Sequence, residues 1–591
     1  MKRWFFLFLL LQAALSPAFS LDRQAFTVTR YQLEVEIDRA THVMAVTGRL
    51  RLRNDSRSPQ KFVTLQVSSS LAWNGLAMDD QPLEWIGDNY VSDIDHTGSL
   101  SEAIATLPKE VAPGANITVD LQYGGTITRD ATRLTRLGTP DDVAGRNDWD
   151  QISESFTAVR GLGYVAWYPV ALDAASLSDG NSVLDAIARW KSRHQSSTFE
   201  AQVTSKAPAS QPLLRIATNA PESDCGRVAS SPRPDAANRA HTVCRNLQLE
   251  GLGETVPTLA IADYAELKRP TVDLMYTPDR KALAQDCAVA AEANDSFLHD
   301  WLGDANQTAR VIELSDPNAN PYHSGAVLFT PLRQAQTANL QLLLVPTQVA
   351  ARFYSPRPWI QDGLERFLQA MSIESRVGRK AALQFLDEYR EPLVRAEAEA
   401  HPRGDGSSRN FSGGEANNTL LNTSDQLYLR GKGSFVFWML RDMVKDEVLQ
   451  RTLGEYRPIA DKDASYLQRL LQKNSKRDLE WFFDDWVYRD RGLPELHVVS
   501  AYVRALLSEG YHSFMTTATI ENRGQAGTEV PVLVETPSGD KVVRVLVKAG
   551  QQGVGRIELP IAPRQIKVND GSVPEANLGN NTYDLPPSQQ P

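Results

Sequence analysis

The sequence predicts a multidomain α+β protein, with a large β-rich N-terminal domain, a mainly helical central domain and a small C-terminal β-domain. Three observations lead to this fold class. Apolar and polar residues alternate over much of residues 21–264, helical periodicity dominates residues 265–493, and alternation returns over residues 494–575. The chain has 591 residues, of which 42% are hydrophobic and 23% charged, so it can bury several cores.

The N-terminal domain is predicted from half-buried strands. "YQLEVEID", "GRLRLRN" and "ANITVDLQYGG" alternate apolar and polar residues, and "TFEAQVTS" continues the pattern. Between them "GYVAWYPVALD" concentrates the aromatic residues Tyr164, Trp167 and Tyr168 before Pro169. We therefore expect one large β-domain here.

The central domain is predicted from amphipathic helices. "RKALAQDCAVAAEANDSFLHDWLG" indicates a long helix that ends near Gly303, and "RDLEWFFDDWVYRDRG" indicates another that stops at Gly492. "ARVIELS" and "SGAVLFTPL" indicate strands, and "HPRGDGSSRNFSGGEANNT" a polar loop. The segment "VPTQVAARFYSPRPWIQDGLERFLQAM" predicts a short helix, a turn marked by proline, and a second helix starting at Pro358 or Trp359.

The C-terminal domain is predicted from short strands such as "ELHVVSAYV" and "FMTTATIENRG". Their number and spacing are typical of a sandwich of immunoglobulin-like size. We expect residues 576–591 to form a disordered tail.

Charge and hydropathy exclude several classes of partner. The net charge is −10 without a basic block, so neither nucleic acid nor an anionic membrane surface is an expected partner. Lys2 and Arg3 precede the apolar run "WFFLFLLLQAAL", and Ala18 and Ser20 follow it, which indicates an export signal cleaved after Ser20. An uncleaved anchor is the alternative reading of residues 1–20. No later stretch is long enough to span a bilayer, so the mature chain is expected to be periplasmic or extracellular.

The three cysteines favour at most one disulfide. Cys225 and Cys244 flank a loop-like stretch and could join two strands of a hairpin, which an oxidising compartment permits. Cys287 lies in a helical pattern and is expected to be a buried apolar residue. The sequence leaves open whether the Cys225–Cys244 bridge forms.

Four stretches, in this order, resemble the aminopeptidase N family of zinc metallopeptidases, the gluzincins. "WYPVALD" is similar to a segment late in the family's N-terminal saddle domain, and "SPRPWIQDGLERFLQ" to its second zinc-ligand helix. "YLRGKGSFVFWMLRDM" resembles its Tyr-x-Lys-Gly helix start, and "DLEWFFDDWVYRDRGLPEL" the end of its catalytic domain. The resemblance implies a β saddle domain (21–264), a thermolysin-like peptidase-type domain (265–493) and an Ig-like β-sandwich (494–575).

The resemblance also locates the zinc chemistry, and this sequence departs from it. The family holds zinc with two histidines in His-Glu-x-x-His and a glutamate on the next helix, and the glutamate beside the first histidine activates a water. On that pattern Thr347 and Ala351 stand at the histidines, Gln348 at the general base and Asp362 at the third ligand. The short interval between the helices leaves room for a register error of one residue.

No other register restores the motif, because no two histidines are four residues apart. The chain has nine histidines. They are His42, His96, His194, His241, His299, His323, His401, His497 and His512. Glutamine is isosteric with glutamate but cannot accept a proton at neutral pH. We therefore expect no bound zinc and no other cofactor, unless the helix pair is an ordinary hairpin unrelated to the family's.

Three further positions belong to the expected cleft. Tyr428 matches the family's tyrosine that stabilises the transition-state oxyanion, although without metal it has nothing to assist and the simpler reading is a cleft-lining or packing residue. Gly325 and Ala326 match part of the family's Gly-Ala-Met-Glu-Asn strand, but the glutamate that would grip a substrate's amino terminus is missing.

Two functional hypotheses remain. The first is a pseudo-peptidase that keeps a cleft for a peptide or protein ligand, lined by Gly325, Ala326, Thr347, Gln348, Ala351, Asp362 and Tyr428. The second is an active metallohydrolase with unusual ligands drawn from Asp362, His323, Glu365 and Tyr428. No Gly-x-Ser-x-Gly elbow is present, so a serine hydrolase is not indicated. The ligand, the biological process and the oligomeric state stay open.

Overall fold

The computed structural model describes residues 21–208, 211–225, 241–400, 419–508, 511–575 and 577–585. The predicted export signal, most of the predicted polar loop and the last six residues lie outside the described part. Within the described part, no helix has both the length and the apolar character needed to cross a membrane.

The N-terminal part is built almost entirely from strands. Its strands are β1 (Phe26–Asp38), β2 (Val43–Asn54), β3 (Gln60–Ser68), β4 (Leu71–Met78), β5 (Gln81–Pro82), β6 (Trp85–Val91), β7 (Ser99–Val111), β8 (Asn116–Thr126), β9 (Thr157–Val159), β10 (Thr198–Ala207), β11 (Leu214–Thr218), β12 (Glu222–Asp224), β13 (His241–Glu250) and β14 (Leu259–Asp263). Its helices are α1 (Thr132–Thr135), α2 (Asp141–Asn147) and α3 (Ser182–Arg193).

These strands form one large and two small sheets. The large sheet has the order β12-β13-β10-β1-β2-β8-β4-β5, with only the β1–β10 pair parallel, and the small sheets are β3-β7-β6 and β11-β14-β9. Along β1, buried Leu33, Val35 and Ile37 alternate with exposed residues, as the sequence predicted. Trp167 and Tyr168 are fully buried in the same core, where both contact the ring of Phe199.

The hairpin at the edge of the large sheet carries a disulfide. Cys225, just after β12, is bonded to Cys244 in β13, and their Cα atoms are 5.8 Å apart. The bridge that the sequence left open is therefore present. Cys287 is free and buried, as expected.

The middle part combines a five-stranded sheet with a set of helices. Its strands are β15 (Ala265–Lys268), β16 (Val272–Tyr276), β17 (Ala309–Glu313), β18 (Tyr322–Ser324) and β19 (Val327–Thr330), in the order β15-β16-β17-β19-β18. Its α-helices are α4 (Lys281–Ala293), α5 (Asp295–Leu302), α6 (Thr337–Ala350), α7 (Pro358–Val377), α8 (Arg379–Leu386), α9 (Arg390–Ala400), α10 (Gly433–Val444), α11 (Asp446–Glu455), α12 (Tyr466–Ser475) and α13 (Glu480–Phe483). Residues Leu427–Lys432 and Asp484–Tyr488 form π-helical segments.

One predicted helix is divided in the structure. The pattern before Gly303 forms α4 and α5, which meet at Asn294. The Asn294 side chain is buried and donates hydrogen bonds to the Gln341 carbonyl and to Gln348 Oε1, both at 2.9 Å. A polar side chain that pairs with α6 therefore occupies the junction, which periodicity alone does not reveal.

The C-terminal part returns to strands. They are β20 (Leu496–Ser508), β21 (Tyr511–Asn522), β22 (Thr528–Glu535), β23 (Lys541–Val547), β24 (Gln552–Leu559), β25 (Gln565–Val568) and β26 (Thr582–Asp584), in two sheets ordered β20-β21-β24 and β23-β22-β25-β26. The structure differs from the expected disordered tail, because β26 pairs with β25 and Leu585 is buried. This segment contains too few apolar residues for an alternating pattern to predict a strand.

The three parts give a multidomain α+β chain, with sheets first, helices in the middle and sheets last. The apolar core of the helices continues into that of the C-terminal sheets. At this boundary Trp486 is fully buried and its indole N–H donates to the Gly527 carbonyl at 2.8 Å.

Candidate functional site

The helix pair α6 and α7 carries most of the residues of the candidate site. Pro346 lies inside α6 and has no N–H to donate to the Leu342 carbonyl one turn earlier. The Gln369 side chain of α7 donates to that carbonyl instead, at 2.9 Å. Pro346 thus leaves the Leu342 carbonyl of α6 without its usual helical donor, and α7 uses this carbonyl to hydrogen-bond to α6.

The start and end of α7 follow from its sequence. Pro358 occupies the first helical position, where its missing N–H costs nothing, and Gly378 ends the helix with a φ of 105°. Trp359, Leu364 and Phe367 are buried, as the helical spacing predicted.

α7 approaches α10 at two facing glycines. A Cβ atom on Gly363 would lie 2.8 Å from the backbone carbon of Gly433, so neither position has room for a side chain. This close crossing sets the position of Asp362, the residue before Gly363, relative to the π-helical segment that precedes α10.

Thr347, at the expected first histidine, is paired with a histidine from the neighbouring sheet. Its Oγ1 lies 3.0 Å from Nδ1 of His323 in β18. Burial, followed by the charge of Arg430, lowers the pKa of His323 to about 4. The imidazole is therefore neutral at physiological pH, and one of its nitrogens is held by the threonine hydroxyl.

Gln348, at the expected general base, is fully buried and hydrogen-bonded to α4 and the α4–α5 junction. Its Oε1 accepts from Asn294 Nδ2 and its Nε2 donates to the Ala291 carbonyl, both at 2.9 Å. Ala351, at the expected second histidine, is also buried. Both polar atoms of Gln348 serve helix packing, so this side chain works as a structural amide.

Asp362 and Glu365 lie half-buried near each other on α7, three residues apart. Burial, followed by the negative charge of Asp362, raises the pKa of Glu365 to about 8. Gln361 Nε2 donates to Glu365 Oε1 at 2.7 Å. Burial also raises the pKa of Asp362, against the opposing charges of Arg430 and Lys191. At neutral pH Glu365 is therefore largely protonated.

The cations near this pair come from two distant parts of the chain. Lys191 belongs to α3 and Arg430 to the π-helical segment before α10. The start of α3 is hydrogen-bonded to residues that precede the π-helical segment. Asp185 accepts a hydrogen bond from Ser424, and Asn181 donates one to Asp425 at 3.2 Å. Burial lowers the pKa of Lys191, and the carboxylate of Asp362 opposes that change.

Tyr428 lies in a different charged environment. It is buried, and Nζ of Lys432 is 5.6 Å from its ring centroid. The Lys432 ammonium is itself buried, and it donates to Glu397 at 2.6 Å and to Asp490. Burial, followed by the negative charges of Glu397 and Asp490, raises the pKa of the phenol. The charges that act on Tyr428 are thus not those that act on Asp362.

Gly325 and Ala326 form the turn between β18 and β19. Gly325 has a φ of 56°, which suits glycine, and a Cβ there would meet open space. Ser324, just before it, accepts a hydrogen bond from Asn219 of the N-terminal part at 2.7 Å. β18 is the last strand of its sheet, so one of its edges pairs with no other strand in the described residues.

The residues present do not fit a zinc ion. Thr347 is hydrogen-bonded to His323, and Ala351 has no side-chain atom that could bind a metal. Gln348 is hydrogen-bonded to Asn294 and to the Ala291 carbonyl. Across the part of the chain that the structure describes, no three His, Cys, Asp or Glu side chains are grouped so that they could hold a metal ion.

The structure pairs Thr347 with His323 and sets Asp362 near Glu365, and the charge of Arg430 acts on His323, Asp362 and Glu365 alike. Arg430 and Lys191 are two residues that the sequence did not single out. Arg430 stands at the lysine of the family's Tyr-x-Lys-Gly pattern, so the motif could have drawn attention to it. Lys191 carried no signal, because nothing local in α3 indicates that it meets α7.

Comparisons with known proteins give structural neighbours only. No family model matches the chain, and no curated protein matches it. The chain is similar to the M1 zinc metallopeptidase from Deinococcus radiodurans, with 13% identity and a TM-score of 0.42 over 79% of this chain and 95% of that one. A mutant of that enzyme gives 13% identity and a TM-score of 0.42, with 79% and 96% covered. The same mutant bound to a Tyr-Ser-Ala substrate gives 14% identity and a TM-score of 0.44, with 80% and 97% covered.

Proposed function

We propose that this chain is an exported homologue of the aminopeptidase N family that has lost zinc and keeps a cleft for a peptide ligand. On this proposal residues 21–264 are the saddle domain, 265–493 the thermolysin-like domain and 494–575 the Ig-like sandwich. Four sequence stretches in the family's order support the assignment. The signal-like residues 1–20 support export to the periplasm or the extracellular space.

The observation that carries the loss of catalysis is the bonding of Gln348. A general base must face the cleft and accept a proton. Both polar atoms of the Gln348 amide are instead hydrogen-bonded, to Asn294 and to the Ala291 carbonyl. Its neighbour Thr347 is bonded to His323. On this proposal, Thr347 and Gln348 serve contacts between α6 and its neighbours in place of metal binding and water activation.

The observation that supports peptide binding is the edge strand β18. It ends its sheet, and it carries His323, whose pKa is influenced by Arg430 of the helical segment across the site. An extended peptide can add to such an edge through main-chain hydrogen bonds. The same peptide would then run past Asp362 and Glu365.

The proposal can be tested with a pool of fluorescein-labelled hexapeptides and the mature protein. We expect a subset of peptides to bind and to be recovered intact, as shown by fluorescence polarisation and mass spectrometry. The matched control is the same peptide with N-methylated backbone amides, which should bind more weakly because it cannot donate along the strand edge.

Two results would count against the proposal. Cleavage of the bound peptides that stops on addition of a chelator would show an active metallopeptidase. Failure of every peptide in the pool to bind would remove the peptide-binding role.

A further inference from the structure

Strand β18 is short, and the N-terminal part of the chain contacts it and the residues before it. Among the strands that the structure describes, its three residues Tyr322–Ser324 pair only with β19. Just before the strand, the Asn320 amide donates to the Arg146 carbonyl at 2.8 Å, and the Asn320 side chain donates to Asn147 Oδ1 at 2.6 Å. The position of this edge strand therefore depends on residues outside its own sheet.

Side chains along this segment alternate between two neighbours. Those of Asn320, Tyr322 and Ser324 contact the N-terminal part. The side chain of His323, which lies between them in sequence, instead meets α6, with its Nδ1 3.0 Å from Thr347 Oγ1. Successive side chains of a strand point to opposite faces, so one face of β18 is held by the N-terminal part and the other is turned to α6.

Tyr322 packs on aromatic rings arranged around a buried arginine. Its ring centroid lies 5.6 Å from that of Tyr164 and 6.2 Å from that of Trp149. Cζ of Arg160 lies over both rings, 3.5 Å from the centroid of Tyr164 and 4.0 Å from that of Trp149. Arg160 Nε donates to Asp150 Oδ2 at 2.9 Å, and both residues of this ion pair are buried. Tyr322 therefore rests against side chains that are themselves fixed.

Ser324, the last residue of β18, is held by one side chain of the N-terminal part. Asn219 Nδ2 donates to Ser324 Oγ and to the Val256 carbonyl, both at 2.7 Å. Asn219 Oδ1 accepts a hydrogen bond from the Thr258 amide at 2.9 Å. Both donor hydrogens of the amide are used and its oxygen is engaged, so the amide has a single orientation and fixes the serine hydroxyl.

Building on the proposed function, we propose that Asn219 is a positioning residue for peptide binding and acts through Ser324. A peptide that adds to the edge of β18 is held by main-chain hydrogen bonds, which require the edge to stay extended and in register. Asn219 holds one end of this edge, while the support of Tyr322 by Arg160 and its neighbouring rings holds the other. The affinity for a peptide should therefore depend on a hydrogen bond between two parts of the protein itself.

A double-mutant cycle on the mature protein tests this role, with the tightest-binding hexapeptide of the fluorescein-labelled pool as the probe. Asn219→Ala and Ser324→Ala should each weaken binding about three- to tenfold, which is the size of one neutral hydrogen bond. The double variant should bind no more weakly than the weaker single variant, because the same contact is broken only once. Ser324→Thr keeps the hydroxyl and should retain most of the affinity, which a general loss of stability would not explain.

Hydrogen exchange measured by mass spectrometry reports on β18 without any peptide. We expect the amides of residues 322–326 to exchange about three- to tenfold faster in Asn219→Ala and in Ser324→Ala than in the unchanged protein. Asn116→Ala is the matched control, because Asn116 is exposed on β8 of the same part of the chain, and it should change neither exchange nor affinity. If Asn219→Ala does not fold, the comparison of Ser324→Ala with Ser324→Thr carries the test.

The outcomes separate this inference from the proposed function. If the unchanged protein binds no peptide of the pool, the proposed function fails and the positioning role fails with it. If peptides bind but the variants change neither affinity nor exchange, or if the two single effects add, the proposed function stands and the positioning role is wrong. If exchange rises while affinity stays the same, Asn219 holds β18 but the peptide binds elsewhere, which also overturns the positioning role.

Discussion

At the residue scale, Gln348 is a buried structural amide at the position where the family resemblance would place a general base. A glutamine at the general-base position could in principle face the cleft and bind a ligand. In this chain it turns toward α4 and completes the hydrogen bonding of the α4–α5 junction through Asn294 and Ala291. The Gln348 side chain is fully buried, so its contribution to the free energy of unfolding should be measurable.

We expect Gln348→Ala to lower the free energy of unfolding by about 2–4 kcal/mol, because it leaves a cavity and removes two buried hydrogen bonds. Chemical denaturation measures this change. Gln384→Ala is the control, since Gln384 is exposed on α8, and its effect should stay within about 0.5 kcal/mol. An equal, small effect of both substitutions would contradict the structural role of Gln348.

Glu365 makes the stability of the folded chain depend on pH. Its folded pKa of about 8 lies above the ordinary value of 4.5, so the folded state holds the proton more tightly than the unfolded chain. The stability from this group is complete below about pH 4.5 and is lost as the pH rises through about 8. Each unit of pKa difference corresponds to about 1.4 kcal/mol, reduced here by the partial solvent access of the group.

We therefore expect Glu365→Gln to raise the melting temperature relative to the unchanged protein at pH 8.5, and to make little difference at pH 4.5. Scanning calorimetry at several pH values measures this. Glu447→Gln, at an exposed position of α11, should show no such trend. A difference between Glu365→Gln and the parent that does not change with pH would contradict the raised pKa.

At the element scale, the position of α7 depends on its contact with α10. Gly363 and Gly433 allow the two helix backbones to approach so closely that no Cβ fits between them. Any side chain there must push the helices apart and disturb the buried Trp359 and Phe437, whose rings lie 5.8 Å apart. Asp362 would move with α7.

We expect Gly363→Ala to destabilise the protein by about 1–3 kcal/mol through overpacking. Gly454→Ala is the matched control, because Gly454 lies in α11 and a Cβ there meets open space. Alanine is the better helix former, so the control should stabilise the protein by up to about 1 kcal/mol. If Gly363→Ala stabilises the protein as the control does, the crossing of α7 and α10 is less tight than the structure indicates.

At the scale of the whole molecule, local sequence patterns predicted most helices and strands. They did not predict the contacts between segments that are distant along the chain. The alternation in β1 and the spacing of Trp359, Leu364 and Phe367 are local, and both predicted burial correctly. The division at Asn294 and the pairing of β26 depend on partners far along the chain. The same holds for the site, where Thr347 and Asp362 come from one helix pair but Lys191 comes from α3.

The central proposal is that this chain, although its sequence resembles the aminopeptidase N family, binds no zinc. The most direct measurement is the metal content of the purified mature protein by mass spectrometry, after equilibration with excess zinc and removal of the unbound ion. We expect far less than one zinc per chain and no hydrolysis of amino-acid amides. Stoichiometric zinc, together with amide hydrolysis that a chelator abolishes, would contradict the claim.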